Sequence, residues 1–114
     1  MMVKFLNMLV AFLHYKTRLK CYYDLAENNA KMPFLVYSVI SQNNLIGINA
    51  INHSKNVLIQ IDIYSKDAKS NLAYCDILEN SFCEFYKKPF ALNIQGLSRE
   101  DECYRSIIEL EFVL

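Results

Sequence analysis

The chain has 114 residues, of which 54% are hydrophobic and 13% aromatic, with only two Gly and two Pro. This composition excludes a disordered chain or long flexible linkers, and the length predicts one domain over residues 1–114. The 12 basic and 12 acidic residues cancel, which argues against a dedicated nucleic-acid-binding protein because phosphate neutralisation requires a basic excess.

The N-terminal segment predicts a helix that is apolar over more than one face. Phe5, Leu9 and Leu13 fall on one helical stripe, and further apolar residues widen it. Either the rest of the domain or a neighbouring subunit covers the second apolar side, and the sequence leaves both open. Asn7 interrupts the run, no small-x-small site follows, and the run is shorter than the roughly 20 residues of a membrane span. We therefore predict no signal peptide and no membrane partner.

Two strands and two polar segments follow this helix. Residues 19–26 predict a short extended segment, followed by a polar loop that ends at Pro33. Residues 34–40 are rich in β-formers and apolar on both faces, which predicts a central strand. Residues 41–56 mix polar side chains with Ile and Leu and contain Gly47, which suits a turn or bulge. They form either a long hairpin arm or a mobile loop.

Residues 57–64 predict a strand with two different faces. The aliphatic side chains at odd positions share one face: Val57, Ile59, Ile61 and Ile63. Asp62 lies on the opposite, mixed face, because successive strand side chains point in opposite directions. This placement indicates a solvated or hydrogen-bonded carboxylate rather than a catalytic one.

The end of the chain predicts a second helix and two more strands. Ser65 and Asp67 are typical helix-capping residues, and apolar residues then recur at steps of three or four, which predicts a helix over 66–86. Residues 89–98 predict a short strand, and a polar turn leads into a closing strand with a partly charged outer side. The expected fold class is α+β, with a mixed or antiparallel sheet of about four to five strands packed by an N-terminal helix and a central helix.

The sequence contains no recognisable catalytic constellation. Neither His14 nor His53 has neighbours that suggest a triad. Gly47 and Gly96 stand alone, so no phosphate-binding glycine cluster is present. The four cysteines form no CxxC pair, which argues against a zinc site and favours reduced, buried thiols and intracellular synthesis. We therefore predict no enzyme, no cofactor and no metal site.

Three short motifs occur in a fixed order along the chain. The first precedes and opens the predicted central strand, the second runs from a strand into the second helix, and the third lies in the closing strand. Their residues are Pro33, Phe34, Val36 and Tyr37; Gln60, Asp62, Tyr64 and Ser65; and Tyr104, Arg105, Ser106 and Glu111. In this order the motifs resemble the tail completion, or tail terminator, family of tailed bacteriophages and gene transfer agents, and the resemblance spans nearly the whole chain.

The resemblance implies a non-enzymatic virion protein, assembled in the bacterial cytoplasm and located at the junction of tail and head. Its partners would be copies of itself in a homo-hexameric ring, the tail tube protein that the ring caps, and the head–tail connector or stopper protein. DNA would pass through the lumen without specific binding. The alternatives are a head–tail connector subunit (stopper or adaptor), or a small ligand-binding or enzymatic domain built around Asp62, His53 and the acidic closing strand.

For the oligomer and partner interface, we predict contributions from two regions. The first is the 41–56 segment, represented by Asn44, Ile46 and His53, because loops presented on a rigid sheet often carry function. The second is the outer face of the closing strand, represented by Glu109 and Glu111. Acids on one strand face commonly mark an exposed edge or an intersubunit contact.

Overall fold

A computed structural model describes residues 2–46, 53–88, 90–100 and 102–113, and gives the backbone alone for 43–46, 53, 54 and 100. Within these residues, two helices and five strands follow one another. In order they are α1 (Met2–Thr17), β1 (Lys20–Tyr23), β2 (Phe34–Ile46), β3 (His53–Ser65), α2 (Ala68–Phe85), β4 (Phe90–Glu100) and β5 (Cys103–Val113).

The strands form a single sheet in the order β1-β2-β3-β5-β4. The β1–β2 pair is parallel, and the other three pairs are antiparallel. The sheet is therefore mixed, and α1 and α2 pack on it. The prediction of an α+β fold with an N-terminal and a central helix is confirmed.

The core lies between the two helices and one face of the sheet. All four aliphatic residues at odd positions in β3 are completely buried, as are Leu9 and Leu13 of α1 and Leu78 of α2. Burying one such side chain contributes about 1.5–3 kcal/mol, so this face dominates the stability of the fold. The prediction that Asp62 points away from the aliphatic row is confirmed by the same alternation.

An aromatic cluster closes one end of the core. The ring of Phe5 lies 5.1 Å from that of Phe112 and 5.6 Å from that of Phe85, measured between centroids. The outer side of α1 stays uncovered in the single chain, with Val3 71% and Tyr15 63% exposed. The protein's own sheet and second helix thus cover only one side of α1.

The second helix begins where the capping residues predict. The Asp67 carboxylate accepts a hydrogen bond from the Ser70 backbone N–H at 3.1 Å, which satisfies one of the free donors of the first turn. No disulfide joins any of the four cysteines, all of which lie in described elements. The expectation of burial holds for Cys75 and is wrong for Cys83, which lies on the exposed side of α2.

The described residues of the 41–56 segment form the outer part of a long hairpin, so the alternative of a mobile loop is wrong for them. β2 and β3 pair from Phe34↔Tyr64 out to Ile46↔His53. Gly47 lies outside the described residues. The prediction that 34–40 is a central strand is wrong beyond Tyr37, because β1 pairs only with the first four residues of β2.

Candidate interaction surface

The face of the sheet opposite the helices carries the polar residues of the central strands. Leu58 and Gln60 of β3 are half-buried there, as is Glu109 of β5, and Glu111 is exposed. Cross-strand pairing joins Gln60 to Glu109 and Leu58 to Glu111. Neither described helix covers this face, so it is accessible to a partner.

Asp62 is held in a local polar network on this face. The Nη2 atom of Arg105 lies 2.7 Å from Asp62 Oδ2, and Gln60 Nε2 donates a hydrogen bond to Asp62 Oδ1 at 2.9 Å. The guanidinium also stacks over the Tyr64 ring, 5.7 Å from its centroid. Asp62 is only 8% exposed. Its charge is therefore compensated by a cation and a hydrogen bond, which is the arrangement a partly buried carboxylate requires.

A shallow cleft lies beside this ion pair. It has a volume of about 300 Å³ and is bounded by the loop after β1 and by three strands. Its lining residues are Asp24, Leu25, Ala26, Phe34, Val36, Asp62, Tyr64 and Arg105. Within the part of the chain that the structure describes, no group of three or more His, Cys, Asp or Glu side chains could hold a metal ion.

The predicted hairpin residues lie at the outer end of the β2–β3 hairpin. Ile46 is opposite His53, and Asn44 is opposite Lys55. The side chains of Asn44, Ile46 and His53 lie outside what the structure describes. β5 pairs with β3 only as far as Asn56, so in the described residues this end of the hairpin has two strands and extends beyond the sheet.

Glu109 and Glu111 lie on the outer face of β5, away from the outer end of the hairpin. Gln95 of β4 donates a side-chain hydrogen bond to Glu109. Glu111 lies beside a shallow groove of about 250 Å³ that also includes Phe90 and Val113. Glu111 is opposite Leu58, five residues from His53, which corresponds to roughly 17 Å along the strand. The structure therefore separates the two predicted regions along the direction of the strands.

Arg105 and Asn71 are two polar side chains whose interactions the sequence patterns did not predict. One is Arg105 as the partner of Asp62, although its position on the outer face of β5 follows from the alternation. The other is Asn71, which is fully buried and donates to the carbonyl oxygens of Ile63 and Tyr104 at 2.9 and 3.1 Å. Ser106 donates its hydroxyl to the Asn71 side-chain oxygen. This amide joins α2 to β3 and β5.

Two of the thiols, those of Cys21 and Cys75, are not activated. Burial raises the pKa of Cys21 to about 11, and burial also raises the pKa of Cys75. A nucleophilic cysteine requires a lowered pKa, because the thiolate is the reactive form. Neither residue therefore has the electrostatic environment of a catalytic thiol.

No helix among the described residues has both the length and the apolar character needed to cross a membrane. The accessible features of the described residues are an uncovered sheet face with a compensated ion pair, a projecting hairpin and an exposed side of α1.

In comparisons with known proteins, neither a protein-family model nor a curated protein matches the chain.

Proposed function

We propose that the chain is a tail terminator subunit, which assembles into a homo-hexameric ring that caps a phage-type tail tube and joins it to the head connector. The observation that carries the proposal is the order of the three motifs together with the fold in which they lie. The first motif opens β2, the second ends β3 at the start of α2, and the third lies in β5.

The motif residues occur next to one another on the sheet, which supports a shared role. Phe34 pairs with Tyr64, and Tyr64 pairs with Arg105 across three strands. The Phe34 and Tyr64 rings stack at 5.1 Å, and Arg105 bridges back to Asp62. Three segments far apart in sequence thus form one continuous cluster on the uncovered face.

The elongated form of the subunit also supports assembly. The longest dimension is 53 Å, against 28 and 23 Å for the other two. The radius of gyration is 15.1 Å, whereas a compact chain of this length has about 13 Å. A projecting hairpin holds its two strands at a distance from the core, where a neighbouring subunit or the tube end can contact them.

The proposed role requires no reaction chemistry. The contacts of Asp62, the acid whose position is most suggestive of catalysis, agree with this role. Asp62 is engaged by Arg105 and Gln60. A general base needs a free acceptor directed at substrate. We therefore propose that the cluster stabilises the sheet face and that the protein is not an enzyme.

Native mass spectrometry of the protein alone and with tail tubes of the same particle tests the proposal. We expect a species at six times the 13.3 kDa chain mass, either free or formed on tube ends. Electron microscopy should then find the protein at the end of the tube and absent from its sides. Binding to portal-side rings without binding to tube ends would instead identify a connector subunit. A monomer that binds neither partner at high concentration would contradict the proposal.

A shortened hairpin provides the matched variant. Joining Asn43 to Asn56 through an Asn-Gly turn removes the section of hairpin beyond β5 and leaves the β3–β5 pairing intact. We expect this variant to fold, as judged by an unchanged circular dichroism spectrum, and to lose ring formation or tube capping. Full ring formation and capping by this variant would remove Asn44, Ile46 and His53 from the interface.

A further inference from the structure

The sheet has two open edges, and both are long. β1 pairs only with Phe34–Tyr37, so residues 38–46 form an outer edge of β2. The last backbone hydrogen bond described along that edge is from the Asp24 N–H to the Tyr37 carbonyl, at 2.8 Å. At the opposite side, β4 pairs with β5. Among the described elements, β2 contacts only β1 and β3, and β4 contacts only β5 and α2.

The pairing register identifies which backbone groups point outward. In an antiparallel ladder, alternate residues direct their N–H and C=O groups to the same side. The Tyr37 carbonyl points away from β3, and so do the backbone groups of Val39. The bulge after Val39 shifts the alternation by one position. Gln42, which is opposite Val57, therefore directs its backbone groups away from β3. The same alternation, followed through the β3–β5 and β4–β5 pairs, shows that the backbone N–H and C=O groups of Leu92 point away from β5, at the other edge of the sheet.

Neither edge has the side chains that usually prevent pairing with another molecule. Monomeric proteins protect edge strands with Lys, Pro or bulges, because a row of free N–H and C=O groups recruits further strands. Residues 38–46 read SVISQNNLI and contain no charge and no Pro. Residues 90–98 of β4 read FALNIQGLS and also contain neither, and the charged residues Arg99 and Glu100 lie only at the end of the strand. Each edge strand has one irregularity in its pairing register. Residues 42–46 follow the irregularity in β2, and residues 90–94 precede the one in β4, so both stretches are regular.

We propose that the β2 edge binds the β4 edge of a second copy as an antiparallel strand. β2 and β4 run in opposite directions at opposite sides of one sheet. A copy rotated about an axis along the strands therefore presents β4 antiparallel to β2. Repeating this head-to-tail contact uses both edges of every copy, and the assembly closes as a ring. The inference rests on the proposed ring and identifies the contact that forms it.

A two-fold contact is the main competing arrangement. Pairing β2 with β2, or β4 with β4, would also be antiparallel, but it would leave the other edge of each copy open. Such a contact produces dimers with one protected edge. The head-to-tail contact instead protects both edges equally, and this difference can be measured.

Hydrogen–deuterium exchange with mass spectrometry, run on dilute monomer and on the assembled ring, tests the pairing. We expect peptides covering 38–46 and 90–100 to exchange more slowly in the ring, while peptides from the buried strand β3 over 57–63 stay unchanged. A ring in which either edge peptide keeps its monomer rate would overturn the pairing and leave the ring proposal intact. A dimer with one protected edge would also overturn it. Absence of any assembly, free or on tubes, would overturn both.

A pair of variants at one position separates backbone pairing from side-chain contacts. Gln42→Pro removes an outward N–H without removing a bond to β3, and Pro is tolerated on edge strands. Gln42→Ala keeps the N–H, and the Gln42 side chain is exposed. We expect Pro to raise the dissociation constant of each contact about tenfold, the effect of one lost hydrogen bond, and Ala to change it little. Equal dissociation constants for the two variants at unchanged folding would refute the pairing.

Discussion

The ion pair between Asp62 and Arg105 provides a direct test of whether this sheet face serves stability or chemistry. The Asp62→Asn variant removes the charge but keeps the shape and an oxygen that can accept from Gln60. The side chains of Arg105 and Asp62 are 25% and 11% exposed. The pair therefore lies between surface pairs, worth about 0.2–1 kcal/mol, and buried pairs, whose disruption costs about 3–5 kcal/mol. We expect the variant to lower the free energy of unfolding by about 2 kcal/mol.

Equilibrium urea unfolding followed by circular dichroism measures this change. The midpoint should fall while the slope stays constant, because the surface exposed on unfolding is unchanged. Asp76→Asn is the matched control, since Asp76 is exposed on α2, and it should alter stability by less than about 0.5 kcal/mol. A double-mutant cycle with Arg105→Gln should give a coupling energy of about 1.5 kcal/mol between the two residues.

The opposite pattern would refute the structural role of Asp62. If Asp62→Asn keeps wild-type stability and shows no coupling to Arg105, the ion pair does not hold the face together. If the same variant also abolishes ring formation or a newly found activity, the carboxylate acts directly on a partner or substrate. The expected result is instead reduced stability with normal assembly below the unfolding transition.

Three further changes test other parts of the fold. Asn71→Ala should lower the free energy of unfolding by about 3 kcal/mol in urea titration, because it leaves buried carbonyls without donors; Asn80→Ala at an exposed site of the same helix should be nearly neutral, and equal effects would contradict the buried-network argument. Gly96 has a φ of +94° with no atom within 4 Å of an added Cβ, so Gly96→Ala should cost about 1–2 kcal/mol in the same titration from backbone strain alone; a stabilising effect would be inconsistent with that conformation. Hydrogen bonds from Ser70 lower the pKa of Asp67, so the carboxylate stabilises the fold above its unfolded pKa of about 4 and loses this effect as pH falls through the lower folded value. The difference in Tm between wild type and Asp67→Asn should therefore decrease as pH is lowered from about 5 to about 2, and a difference independent of pH would contradict the assignment.

Local patterns in the sequence were sufficient for most elements of the fold. The period-2 alternation in β3 and β5 identified the buried and outer faces, and the capping residue Asp67 located the start of α2. These features depend on neighbours within a few positions, where side-chain direction is set by the backbone period. The end of α2 was also close, with the helix running to Phe85 instead of residue 86.

The candidate surface was predicted less completely, because it depends on pairing between distant segments. The sequence placed Asp62 and Glu109 on outer faces but could not align them, since sliding one strand by two residues preserves the alternation and changes every partner. The register in the folded chain brings Arg105, 43 residues away, to Asp62. It also places Asn71 beneath the carbonyls of two strands.

The sequence by itself determined the fold class, the faces of the central strands and the capped start of the second helix, because these follow from local periodicity. Only the tertiary structure decided the strand order, the partner of Asp62, the network around Asn71 and the open edges of β2 and β4. Each of these depends on where a strand ends relative to its neighbour. That relation is set by the packing of the whole sheet against two helices, which no short stretch of sequence contains.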